Sequence, residues 1–131
     1  MSNLAEKSNQ SYQAAVLLLS KEYYCSSLQC SYFSCLQSAK NLIIESGVNL
    51  DEFERLTREN GSHNIIIEET FNIIENSGLR GATFVDLMNN IKRWRKAAVY
   101  GLEITLPDTA NSAIVRCNTI RNAVNDSLKR I

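Results

Sequence analysis

The chain has 131 residues, 14 lysines and arginines against 14 aspartates and glutamates, a single histidine and a single proline, Pro107. That length suits one domain, residues 1–131, built around one core. Balanced charge excludes a global field drawing the chain to nucleic acid or to a membrane, so any affinity for RNA has to come from a local patch.

Scarce glycine and proline favour long helices over a turn-rich β fold. A first helix is predicted from about Asn3 to Glu22, with Tyr12, Ala15, Val16 and Leu19 as its apolar stripe and Leu18 widening it. The run Ala14–Leu19 is the longest strictly apolar stretch, far too short to span a bilayer. The N-terminus lacks the basic-then-apolar order of a signal peptide, so the expected location is the cytoplasm, with no membrane association. A second helix is predicted from about Tyr24 to Ser46, turning Leu28, Tyr32, Cys35, Leu36, Ala39, Leu42 and Ile43 inward and ending at Gly47. Cys25, Cys30 and Cys35 recur every five residues along it, which sets successive thiols ~140° apart around the axis. They cannot converge on one metal or pair with each other, and with Cys117 they are read as reduced packing residues.

Asn49 with Glu52 forms a capping pair that opens a short helical turn through Phe53 and Leu56. Glu59-Asn60-Gly61 breaks the pattern, and Ser62 is the expected N-cap of a third helix reaching about Glu75, with a stripe of Ile66, Ile67, Thr70, Phe71 and Ile74. A fourth helix is predicted to open at Thr83 and Asp86 and to run to about Leu102, burying Phe84, Leu87, Met88, Ile91 and Ala98. Pro107-Asp108 leads a fifth, from about Thr109 to Lys129, with Ala113, Val115, Cys117, Ile120, Val124 and Leu128 as its apolar residues. The fold class is therefore all-α, an up-and-down antiparallel bundle of four to five helices.

Two constellations carry chemistry. His63 follows Arg58 by five residues. An imidazole moves a proton near neutral pH and a guanidinium steadies charge on a phosphate, so the pair has the parts for metal-free phosphodiester cleavage. The same residues also read as a half-buried helix-end histidine and an arginine paired to Glu54 one turn back. The second constellation, Lys92-Arg93-Trp94-Arg95-Lys96, could grip phosphates around an indole, or be a solvated face with Trp94 in the core. Arg95 falls on the buried side of its helix and needs a partner there, either a carboxylate such as Glu68 or Glu69 or an anion in a cleft. No zinc site, paired catalytic carboxylates or phosphate-cradling glycine loop is present, and no cofactor or metal is expected.

The order Ala14-Ala15-Val16-Leu17-Leu18, Tyr23-Tyr24-Cys25-Ser26-Ser27, Tyr32–Lys40, Ser62-His63 and Arg95–Tyr100 resembles small prokaryotic HEPN-domain proteins from about Leu4 to Val124. The resemblance implies a four-to-five-helix bundle that homodimerises so that two sites share a cleft. It also implies a toxin–antitoxin or defence setting, with RNA as ligand and a nucleotidyltransferase-type antitoxin as partner. Members that carry arginine, four to six residues, then histidine are metal-independent endoribonucleases, and Arg58 and His63 would fill those places. Members without that motif are binding partners. Beside the resemblance, the residues themselves make Lys92, Arg93, Arg95 and Lys96 the expected RNA or phosphate contacts. Both expectations stand at this point.

Overall fold

A computed structural model describes residues 3–131. Six helices follow one another: α1 (Leu4–Ser20), α2 (Tyr24–Glu45), α3 (Leu50–Asn60), α4 (Ser62–Asn76), α5 (Gly81–Tyr100) and α6 (Pro107–Leu128). No strand occurs among the described residues. Among the described residues no helix is long and apolar enough to cross a membrane.

The fold is organised around α2, which packs against α1, α4, α5 and α6. All seven residues expected to face inward from α2 are buried, and they join Phe53, Ile74, Phe84, Met88, Ile91, Ile120 and Val124 in one core cluster. Removing that apolar area from water is the main favourable term for the fold.

The α1–α2 contact is of a different kind. Only Ser8 and Ala15 of α1 are fully buried, and Val16 is 41% exposed although the helical stripe placed it inside. Hydroxyls join the two helices instead. Ser8 Oγ donates to the Ser34 carbonyl at 2.8 Å, Ser34 Oγ returns to the Ser8 carbonyl at 2.7 Å, and Ser27 Oγ donates to the Ala15 carbonyl at 2.7 Å. Small side chains let the two backbones approach, and the hydrogen bonds satisfy hydroxyls that would be costly to bury alone.

Several element boundaries differ from the sequence reading. The segment expected to be one turn after Asn49 is a full helix, which brings the count to six. Asn49 Oδ1 accepts from the Glu52 N–H at 3.0 Å, and Arg55 ties Glu52 to Glu59 across the next two turns, carrying the helix through to Asn60. Ser62 is the first residue of α4 rather than its cap; the N-cap position belongs to Gly61 at φ 86°, a conformation in which a side chain would be strained. α5 starts two residues early, at Gly81, because the Glu75 carboxylate accepts the Gly81 N–H at 2.9 Å and supplies the cap. Gly81 also has to lack a side chain, since a Cβ there would lie 2.7 Å from Phe71 Cδ2.

Candidate phosphate-binding site around His63

The turn at Gly61 places His63 in the first turn of α4, half-buried against the middle of α2. Tyr32, wholly buried in the core, brings its hydroxyl 2.9 Å from His63 Nδ1. The two rings meet edge to face, with centroids 5.5 Å apart. From α5, the Arg95 guanidinium lies 5.2 Å from the centre of the Tyr32 ring and 5.4 Å from that of Phe33. Lys92, three residues earlier on α5, donates from Nζ to Asn64 Oδ1, beside His63 on α4. Helices α2, α4 and α5 thus converge on one imidazole.

The electrostatics are one-sided. Burial holds the His63 imidazole below its ordinary pKa, and the charges of Arg95 and Lys92 push it further in the same direction. No carboxylate is among the groups acting on it. Burial pushes the Tyr32 phenol up to about 12, the Arg95 charge opposing that rise in part, so the hydroxyl keeps its proton. His63 Nδ1 is the phenol's hydrogen-bonding contact, so we assign the phenol as donor and place the imidazole proton on Nε2. Arg95 Nε is buried and has no hydrogen-bond partner. A neutral N–H donor, a guanidinium with an unbonded Nε and an ammonium thus stand together, and donors of this kind suit an anion.

The sequence-predicted residues divide. His63, Lys92 and Arg95 come together. Arg58 is exposed in the last turn of α3 and is not among the groups that act on His63. It makes no ion pair with Glu54; the helix-surface pairs on α3 belong to Arg55. Arg93 is exposed and bonds Asn90 on its own helix, and Lys96 is exposed. Arg95 pairs with neither Glu68 nor Glu69. Trp94 packs half-buried against the core with Arg116 of α6 over its ring at 4.8 Å, so the indole faces a cation of its own chain.

Tyr32, Phe33 and Asn64 are the site residues that the sequence pattern passed over. Tyr32 carried a signal all the same: a phenol on the innermost face of a helix has to find a hydrogen-bond partner. Among the described residues no group of three or more histidines, cysteines or acids is placed to hold a metal. The four cysteines are free thiols, with Cys35 and Cys117 buried. Comparison of the chain with family models, with curated proteins and with solved structures finds no match to any of them.

Proposed function

We propose that this chain is a HEPN-like bundle that binds RNA or a nucleotide through phosphate held by Arg95, Lys92 and His63, as a non-catalytic module of a toxin–antitoxin or defence system. The observation that carries the reading is the Arg95 guanidinium, with Nε buried and unbonded beside a second cation and a neutral imidazole. Burying a donor without a partner costs about 1–3 kcal/mol, a cost that a bound phosphate oxygen would offset. The Nε2 proton assigned to His63 fits a donor to phosphate better than it fits a base.

The test is binding of a short single-stranded RNA across a salt series. Two to three neutralised phosphates give a slope of log affinity against log salt of roughly −1.4 to −2. A slope near zero, or no binding at all, overturns the reading.

One observation favours a second reading, that of a metal-independent endoribonuclease. The depressed pKa leaves His63 neutral at pH 7, as a general base requires. In that case Tyr32 would accept from Nδ1, Nε2 would take the proton of a ribose 2′-hydroxyl, and a guanidinium, Arg58 or the nearer Arg95, would stabilise the phosphorane-like charge. RNA cleavage in the presence of a chelator, lost in His63→Ala with helicity unchanged, is its signature. Retention of cleavage in that variant excludes His63 as the catalyst. The homodimer and the nucleotidyltransferase-type partner belong to the same proposal, and sedimentation and co-purification test them.

A further inference from the structure

A groove of about 440 Å³ runs between α4 and α5 and begins at Asn64, the residue that Lys92 holds. Its walls are apolar: Ile67 and Phe71 from α4, Val85 and Ala82 from α5. Its far end is fixed by the tight approach of Gly81 to Phe71. Seven residues of helix separate Asn64 from Phe71, about 10 Å of length.

The groove's charge runs opposite to that of the phosphate site. Glu68 and Asp86 line it, exposed and without a hydrogen-bond or ion-pair partner among the described residues. Because Asn64 Oδ1 is taken by Lys92, the Asn64 amide nitrogen is left as a donor at the mouth. Cations thus lie at one end, an apolar slot comes next, and carboxylate acceptors stand along it. An acyl chain would gain nothing from the two carboxylates, and a simple anion nothing from the slot. A nucleotide matches all three parts, provided that its base carries amino hydrogens.

We propose that this groove receives the base of a nucleotide whose phosphate lies at Arg95, Lys92 and His63, and that Glu68 and Asp86 select bases bearing an exocyclic amine, namely adenine, cytosine or guanine, over uracil. The proposal rests on the phosphate-binding reading and adds base selection to it. Phe71 and Ile67 offer apolar surface to the base, and the carboxylates accept from its amine.

The experiment compares oligo(A), oligo(C) and oligo(U) of equal length by fluorescence anisotropy, in the wild type, Ala82→Trp and the double variant Glu68→Gln/Asp86→Asn. Ala82 is exposed on the groove wall, so a tryptophan there occupies the slot without entering the core. The double variant changes two solvent-facing side chains and covers the case in which the tryptophan variant does not fold. The expected wild-type result is a roughly tenfold preference for oligo(A) and oligo(C) over oligo(U). Both variants should reduce that preference to within about twofold, the double variant by raising oligo(U) affinity as well as lowering that of oligo(A) and oligo(C), since two negative charges facing the strand are removed. Equal wild-type binding of all three strands overturns the groove and leaves the phosphate reading standing. So does a preference that survives in a folded variant. Failure to bind any strand removes both.

Discussion

Replacing Arg95 with methionine separates a binding residue from a structural one. Methionine keeps most of the packing stem and deletes the guanidinium. Two contacts are lost, over Tyr32 at 5.2 Å and over Phe33 at 5.4 Å, and cation–π contacts of this kind are worth about 0.5–1 kcal/mol each. Against that stands the buried, unbonded Nε, whose removal returns about 1–3 kcal/mol. The net change in stability therefore lies between about 1 kcal/mol of loss and about 2 kcal/mol of gain, where truncating a fully buried core side chain costs about 2 kcal/mol or more. RNA affinity behaves differently: a charge-assisted contact is worth about 1.5–3 kcal/mol, which is roughly a 10- to 150-fold loss. The His63 pKa should rise toward its ordinary value without reaching it, because Arg95 is removed while burial, the larger cause, remains. Urea unfolding, RNA anisotropy and an NMR titration of the single histidine read the three quantities. A variant that loses more than about 2 kcal/mol of stability while binding RNA like the wild type would show Arg95 to be a packing residue and refute the argument.

The remaining predictions concern protons and packing. RNA affinity should strengthen on acidification from about pH 7.5 to 5, because a phosphodiester beside His63 raises an imidazole pKa that burial against Tyr32 of α2 and the charges of Arg95 and Lys92 of α5 now hold down; an affinity flat across that range would contradict it. The free protein shows the opposite slope. With the folded pKa below the unfolded one, the unfolded chain takes the proton first, so stability falls as pH drops from about 6.5 toward the folded value and levels off beneath it; urea midpoints across that window measure the effect, and His63→Ala should remove it. Gly81→Ala should cost about 1–3 kcal/mol, since the added carbon meets Phe71 at 2.7 Å and Glu75 Cγ at 2.8 Å, and a melting temperature equal to the wild type would show that Phe71 swings away freely. Ile74→Ala, at a wholly buried position of α4, should lose about 2–5 kcal/mol with an unchanged urea m-value.

What could be read from the sequence follows from which interactions are periodic. The inner face of α2 was legible because seven apolar side chains repeat at helical spacing and all of them are buried. The α1–α2 contact was not, because hydroxyls form it. Ser8, Ser27 and Ser34 are buried and bonded across it, yet serine scores as polar in any hydrophobic pattern. The length of α3 was missed because it depends on side-chain pairs at Arg55 rather than on an apolar stripe; Phe53 is its one fully buried residue. The site shows the same division. Spacing along the chain singled out Arg58 as the companion of His63, whereas helical phase alone put Arg95 on the inside. The second signal located the guanidinium that acts on the imidazole. Its aromatic neighbours were out of reach, because Tyr32 and Phe33 lie more than sixty residues away in sequence.

The part Tyr32 plays joins the core to the site. It is among the largest wholly buried side chains of the protein, so core packing fixes where its hydroxyl sits. That hydroxyl in turn fixes the imidazole, by a 2.9 Å hydrogen bond and an edge-to-face contact, and its ring supports the guanidinium. A buried phenol held at about 12 keeps its proton and donates a hydrogen bond to the acceptor within reach, and that acceptor is His63 Nδ1. The remaining imidazole hydrogen then points away from Tyr32, on Nε2, as a donor. For Nε2 to act as a base, the phenol would have to accept from Nδ1 and leave its own proton without an acceptor in a dry interior, at a cost of about 1–3 kcal/mol. One core hydroxyl therefore tilts the imidazole toward the tautomer with its proton on Nε2 and away from the one in which Nε2 is a base. Tyr32→Phe removes the tilt: it frees Nδ1, equalises the two tautomers and should weaken RNA binding while leaving the helices in place.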